Sequence, residues 1–204
     1  MPLGCLASWL VVGMASASAR SGGELVRRLQ ASPAVLAPLT RAGTAPFRGL
    51  CVAHGCEATM GEMIFARFLN KGDRREVARL RRHESEGLFG AQIATKQISE
   101  GVEACERAHE AGADWVDLNC GCPIYEATRR GLGSSLLRKP KKLARLVEGI
   151  VAGSPLPVSV KLRLSGSTHS TGASLSLPTF LSVERSPYVT GEQSPLSERP
   201  RDER

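Results

Sequence analysis

The sequence predicts an α/β protein of the (β/α)8 TIM-barrel type, with about five βα units present and a disordered C-terminal tail. Three observations carry that reading. Short apolar runs alternate with helical patterns across residues 34–166, the signature of βα units on a parallel sheet. The unusual polar residues Glu62, Gln92, Asn119 and Lys161 fall at or just past the C-terminal ends of those runs, where barrels of this type place their chemistry. No Gly-x-Gly-x-x-Gly follows the first run, which removes the support for an open dinucleotide-binding sheet.

The elements follow in order. Val35-Leu36-Ala37 is the first strand, closed by Pro38. Pro46 to His54 reads as a helix with Phe47, Leu50 and Cys51 on one face and Gly55 as its stop. Glu57–Met60 is a second strand and the Arg-rich segment Arg74–His83 a second helix. Leu88–Ile93 is a third strand, after which Ser99 is placed to cap a helix that turns Val102, Cys105 and Ala108 inward. Trp115–Asn119 is the fourth strand and runs into the irregular segment Cys120–Leu137. Pro140 then opens a helix whose Leu143, Leu146, Val147, Ile150 and Val151 keep the i, i+3, i+4, i+7, i+8 stripe. Pro157–Leu164 is the fifth strand, and there the alternation stops.

This divides the chain into a leader (1–33), a barrel-like unit (34–166) and a tail (167–204). Residues 1–19 carry no charged side chain, and Glu24 is the first acidic residue. That composition is compatible with a signal h-region lacking its basic flank, an organelle transit segment or a poorly ordered leader. The apolar stretch Leu6–Met14 is too short to span a bilayer, so no membrane partner is expected, and the compartment stays unread. In the tail, 16 of 38 residues are Ser, Thr or Pro, a disordered composition.

Over all 204 residues the chain is 42% hydrophobic and 23% charged, globular rather than collagen-like or multi-pass. Nine aromatics leave a core of Leu, Val, Ile and Ala and argue against an aromatic-stacking RNA platform. A net charge of +7 suits a polyanionic partner without specifying one. The six cysteines, at 5, 51, 56, 105, 120 and 122, show no repeated paired spacing. Cys120-Gly121-Cys122 lacks a second Cys/His pair at zinc-site spacing, so free thiols and no metal site are expected.

Asn119-Cys120-Gly121-Cys122-Pro123 follows a buried strand, so its backbone leaves the rim in a tight turn. Gly121 permits close backbone approach to a flat ligand and Pro123 restricts Cys122. A thiol there is placed as a nucleophile or general acid, or is simply a small buried hydrophobe. Arg129-Arg130-Gly131-Leu132-Gly133-Ser134-Ser135 is a mobile basic loop suited to a phosphate backbone, or a solvated turn. Lys161 and Arg163 share one side of the fifth strand, where inward cations are costly unless something anionic or electron-rich is bound. Gln92 suits a heterocycle edge or a strand carbonyl, and Glu62 a ligand or a salt bridge. The arginines from Arg74 to Arg82 read as a solvated helix face.

Taken together these segments resemble the tRNA-dihydrouridine synthase family, flavin enzymes on a (β/α)8 barrel. The matching pieces are Val35-Leu36-Ala37-Pro38-Leu39-Thr40 with Pro46-Phe47-Arg48, Gly61-Glu62-Met63, and Phe89-Gly90-Ala91-Gln92. Asp117-Leu118-Asn119-Cys120-Gly121-Cys122-Pro123-Ile124 and Val160-Lys161-Leu162-Arg163 continue the series in order. The opening and the Gly-Cys-Pro-Ile ending are most similar to the eukaryotic branch acting on the tRNA variable loop. The resemblance implies that Pro38, Leu39 and Thr40 lie under FMN, that Gln92 bonds the ring edge and that Lys161 stabilises charge on the reduced ring. It implies Cys122 as the general acid that protonates one carbon of the uracil double bond while reduced FMN delivers hydride to the other. Asn119 and Arg163 would hold the uracil, Arg129 and Arg130 would approach tRNA, and NADPH would reload the flavin.

The pattern also departs from the family. A histidine-bearing sixth strand, the phosphate-binding loops, the helical tRNA-binding domain and a zinc-finger region are not visible, and His169 lacks the neighbours that would give it the histidine's role. A full barrel takes about 250 residues, so an alternative reading is a truncated, inactive product whose open edges favour self-association. A second alternative is a flavin reductase of free pyrimidines, which the basic loop and the opening motif disfavour.

Overall fold

The computed structural model describes residues 7–12 and 18–163, with side-chain surroundings from residue 22 onward. The Ser/Thr/Pro-rich tail, Leu164 and Cys5 lie outside the described residues. The strands are β1 (Ala7–Val12), β2 (Val35–Leu36), β3 (Ala58–Met60), β4 (Ile64–Phe65), β5 (Leu88–Ala94), β6 (Trp115–Cys120) and β7 (Val158–Arg163). The helices are α1 (Ser18–Ala31), α2 (Ala45–Ala53), α3 (Ala66–Asn70), α4 (Arg74–Arg79), α5 (Ile98–Glu110), α6 (Tyr125–Thr128) and α7 (Pro140–Gly153), with a 3-10 helix at Gly133–Arg138.

From β2 to β7 every pairing is parallel, and the sheet order follows the chain: β2, β3, β5, β6, β7, with β4 also on β5. A doubly wound sheet reverses its strand order at a switch point, whereas a barrel adds each strand beside the last. The monotonic order is that of a curled, partial (β/α) barrel. β3 and β4 behave as one interrupted strand. Met60 pairs with Gly90 and Ile64 with Ile93, so Gly61–Met63 inserts one extra residue as a bulge. β1 pairs antiparallel with the outer edge of β7 from Ala7↔Arg163 to Val12↔Val158.

Alternation along the strands sorts side chains into two layers. Phe89, Ala91 and Ile93 of β5, Val116, Leu118 and Cys120 of β6, and Val158 and Val160 of β7 face the helices. They pack there with Ala104, Cys105 and Ala108 of α5 and Leu143, Leu146, Val147 and Ile150 of α7. The predicted stripe of α7 is therefore the packed one, with Val151 partly buried beside it. On α5 Cys105 and Ala108 pack as expected, while Ala104 joins them and Val102 stays half-buried outside the cluster. The opposite face changes from apolar to polar along the strands. At its base Leu25 of α1 packs on Ala58, Met60, Leu88 and Trp115, so part of the segment set apart as a leader plugs the bottom of the sheet. Above that layer come Gln92, Asp117 and Ser159, and then the rim.

Several local expectations are corrected. Ser99 does not cap α5. The cap position is Gln97, and Thr95 Oγ1 accepts from Gln97 N at 3.1 Å. The segment between Met60 and Arg74 holds β4 and α3, too short to show a period. The second helix ends at Arg79, not His83. On α2 the buried side chain is Arg48, 1% exposed, whereas Phe47 and Leu50 are exposed. The reason is electrostatic: Glu86 is buried on the inner side of α2, and the helix turns its only cation to it. Among the described residues no helix is long and apolar enough to cross a membrane.

Candidate functional site

At the C-terminal ends of the strands lies a cleft of about 210 Å³ lined by Pro38, Thr40, Gln92, Asn119, Gly121, Cys122, Pro123, Lys161, Leu162 and Arg163. Seven of the ten residues singled out from sequence meet there. Pro38 and Thr40 come from the loop after β2, Gln92 from β5, Asn119 from the end of β6, Cys122 from the turn beyond it, and Lys161 and Arg163 from β7. Leu39 is 39% exposed and outside the lining. Arg129 and Arg130 are also outside it. Both are ion-paired with Glu126, at 2.8 and 2.7 Å.

A directional chain of hydrogen bonds runs beneath the cleft. Ser159 Oγ donates to Asp117 Oδ1 at 2.6 Å and Gln92 Nε2 donates to Asp117 Oδ2 at 2.7 Å. That leaves Gln92 Oε1 to accept from Asn119 Nδ2 at 2.8 Å. Asn119 Oδ1 then accepts from Gly121 N at 3.3 Å and Cys122 N at 3.0 Å. A carboxylate offers only acceptors, so Asp117 fixes which end of each amide faces which neighbour. The polarity is handed on as far as the backbone of Cys122. Sequence reasoning placed Asp117 in its strand without a role; its shared parity with Asn119 was the available signal.

Asp117 is wholly buried, and burial pushes its carboxyl up to about 6, against the opposing pull of the Ser159 and Gln92 hydrogen bonds and the Lys161 charge. Between about pH 4 and pH 6 the fold therefore holds a proton that the unfolded chain has released, and stability falls as pH rises through that window. Above it both states are ionised, and the accumulated loss is about 3 kcal/mol. Asp117→Asn keeps an acceptor towards Gln92 if its amide donates to Ser159 Oγ, whose hydroxyl then reverses. Subtracting the pH profile of Asp117→Asn from that of the unaltered chain in urea unfolding is expected to leave a decline confined to pH 4–6. A flat difference would show that Asp117 ionises like an exposed carboxylate.

The two thiols of the Cys-Gly-Cys turn differ sharply. Cys120 is buried in the helix-facing core, and burial, with the Asp117 charge second, drives its thiol far above the ordinary range. Cys122 is half-buried and lines the cleft. Its carbonyl accepts from Ser134 N at 2.9 Å, so its backbone is held on both sides. A Cβ at Gly121 would lie 3.2 Å from the Leu162 carbonyl carbon and 3.3 Å from Arg163 N. The space that the sequence reading gave to a ligand is taken up by the neighbouring strand.

The basic segment after the turn is ordered rather than a mobile loop. Gly131 and Gly133 take positive φ values of 76° and 60°, Leu132 is buried with Met63, Ala94 and Ala127, and the 3-10 helix packs against β6. Its glycines supply left-handed turns. Glu62, between β3 and β4, accepts from Arg41 N at 2.8 Å and lies 3.7 Å from Arg79 Nε. It anchors the loop that carries Pro38 and Thr40. The arginine run is likewise partly structural, with Arg82 donating to the carbonyls of Glu86 and Gly112. Among the described residues the five cysteines are free, and no group of three His, Cys, Asp or Glu is placed to hold a metal.

A sequence model of the family described as Dihydrouridine synthase (Dus) matches residues 35–173. The chain belongs to the dihydrouridine synthase family. Among relatives, it is 37% identical over 162 residues to a protein of Neosartorya fischeri named tRNA-dihydrouridine(47) synthase NAD(P)(+), covering 68% of this chain and 22% of that one. A rice protein named as like that enzyme is 41% identical over 131 residues, 63% of this chain and 19% of its own. A Cryptococcus neoformans protein with the synthase name is 39% identical over 152 residues, 72% of this chain and 21% of its own. The resemblance to the eukaryotic branch is thus borne out. The chain spans about a fifth of the length of these dihydrouridine synthase relatives.

Proposed function

We propose that this chain carries the flavin-facing and uridine-facing part of a tRNA-dihydrouridine synthase site, with Cys122 as general acid. The supporting observation is the Cys122 thiol itself: half-buried on the cleft wall, on a backbone fixed at its N–H by Asn119 and at its carbonyl by Ser134. A positioned acid of this kind contributes about 10²–10⁴-fold to a proton-transfer step.

The cleft suits the ring of FMN rather than a whole nucleotide, because about 210 Å³ is below the roughly 300 Å³ at which small-molecule sites begin. When bound there and reduced by NADPH, FMN would supply the hydride. Gln92 spends one N–H and one lone pair within the protein, leaving the other of each for a ring edge. Pro38 and Thr40 line the cleft and would lie under the ring, with Leu39 between them in the same loop. Lys161, on the cleft wall, would set a cation beside that ring. Asn119 keeps a second amide N–H for a uracil carbonyl, and Arg163 completes that contact from the next strand. Cys122 gives its Sγ proton to the uracil carbon that does not receive hydride, and solvent restores it. Arg129 and Arg130 lie on the tRNA side of the rim.

The test uses the 204-residue chain. Flavin binding is read from the visible spectrum and dihydrouridine by nucleoside mass spectrometry of treated tRNA. Cys122→Ala is expected to retain flavin while product formation falls by at least about 100-fold. Undiminished product would remove Cys122 from the chemistry, and colourless wild-type protein would remove the flavin site from this chain.

A further inference from the structure

We infer that a second rim pocket, walled by α3, the end of β5 and the segment after α6, takes a phosphodiester of the RNA backbone. This inference rests on the tRNA reading above and gives the substrate a second point of attachment. The pocket is about 250 Å³ and is lined by four cations, Arg67, Lys71, Lys96 and Arg130, against a single carboxylate, Glu100. Glu100 is engaged with Thr95 Oγ1 at 3.3 Å.

Two of the cations have no internal task. Among the described residues, neither the Arg67 nor the Lys71 side chain makes a hydrogen bond or ion pair, and both residues are exposed. The other two are held in place. Lys96 Nζ donates to the Arg130 carbonyl at 2.8 Å. The Arg130 guanidinium lies 5.3 Å from the Phe65 ring centre and 5.5 Å from that of Phe68, the two rings meeting edge to face. Its Nη1 is committed to Glu126, while Nε and Nη2 make no hydrogen bond among the described residues. An arginine fixed over two rings with part of its fork unspent loses little rotamer entropy on meeting an oxyanion.

The pocket also has the right neighbour. Phe65 and Cys122 both pack against one small cluster of Met63, Ala94, Ala127 and Leu132. The pocket, lined by Phe65, Ala94 and Leu132, and the cleft, lined by Cys122, thus share one side-chain cluster. Four cations gathered around one concavity match a backbone phosphate, which positions a nucleic acid without reading its sequence.

The experiment is a fluorescence-anisotropy titration of the 204-residue chain with a labelled, unmodified tRNA transcript over a range of salt concentrations. Arg67→Gln/Lys71→Gln is expected to weaken binding by about tenfold and to lower the salt slope by about 1.4–1.8, as for two lost phosphate contacts. Lys141→Gln/Lys142→Gln, which removes the same charge from the exposed start of α7, is expected to change affinity by less than about twofold. Neither pair contributes to packing, and equal melting temperatures check that both variants fold. Equal losses from the two pairs would mean diffuse attraction and overturn the pocket, as would an unchanged slope in the first. Pyrophosphate or NADPH binding there without competition from RNA would overturn it too. Binding of tRNA that ignores Arg67 and Lys71 sinks this inference alone. Failure of the unaltered chain to bind tRNA sinks the tRNA reading with it.

Discussion

Arg48→Met is expected to destabilise the chain by about 3–5 kcal/mol, a large fraction of the 5–15 kcal/mol that holds a typical domain folded. Arg48 Nε lies 2.6 Å from Glu86 Oε1, with both side chains almost wholly buried. Nη1 donates to the Gly43 carbonyl and Nη2 to that of Arg81. The guanidinium also lies over the Phe89 ring, 4.6 Å from its centre. Glu86 in turn accepts from Thr59 Oγ1 and from His83 N. Removing the cation leaves a carboxylate with no charge partner in a dry layer and releases two carbonyls, one of them in the loop that carries Thr40. Chemical denaturation measures the loss directly. Adding Glu86→Gln should restore part of it, because the stranded charge is then gone. If the single variant costs under about 1 kcal/mol, the pair is wetter than its burial implies.

Gly133→Ala is expected to cost at least about 2 kcal/mol and to loosen the Cys122 turn. Gly133 has φ 60°, and a Cβ there would stand 2.4 Å from the Cys122 carbonyl oxygen, inside any permitted contact. That oxygen is the acceptor for Ser134 N, so relief of the clash breaks the bond that holds Cys122 from behind. Gly131→Ala is the matched control. It has a similar φ of 76°, but its nearest neighbour is the end of Lys96 at 3.7 Å, so only the left-handed penalty of roughly 1 kcal/mol applies. Thermal melts give the costs, and the alkylation rate of Cys122 reports the turn. Equal costs and equal rates would show that the carbonyl contact is not a constraint.

The strands and the long helices were legible because each carries a period that burial enforces. α7 buries the stripe its sequence displays and α5 most of its own, and β5 and β6 are apolar on the helix-facing side, with Gln92, Asp117 and Asn119 confined to the other. The cleft residues were legible for a related reason: polar side chains at the ends of such runs have no packing explanation. What stayed hidden depends on partners distant in sequence. Arg48 sits on a helix whose apolar residues suggest the opposite face, and only Glu86, 38 residues later, reverses it. Asp117 looks like any strand residue until Gln92 and Ser159 are brought beside it. β4 and α3 contain too few residues for any period, and the order of the Arg129–Ser135 segment depends on Leu132 finding an apolar pocket made by three other elements.

The antiparallel pairing of β1 with β7 has a consequence for assembly. Six residues of β1 already occupy the outer hydrogen-bonding edge of the last parallel strand. A further parallel strand that approaches β7 arrives at a filled seat and has to evict β1 before it can dock there. Extension on the β7 side is thus a swap of one strand for another, whereas the outer edge of β2 pairs with no strand among the described residues.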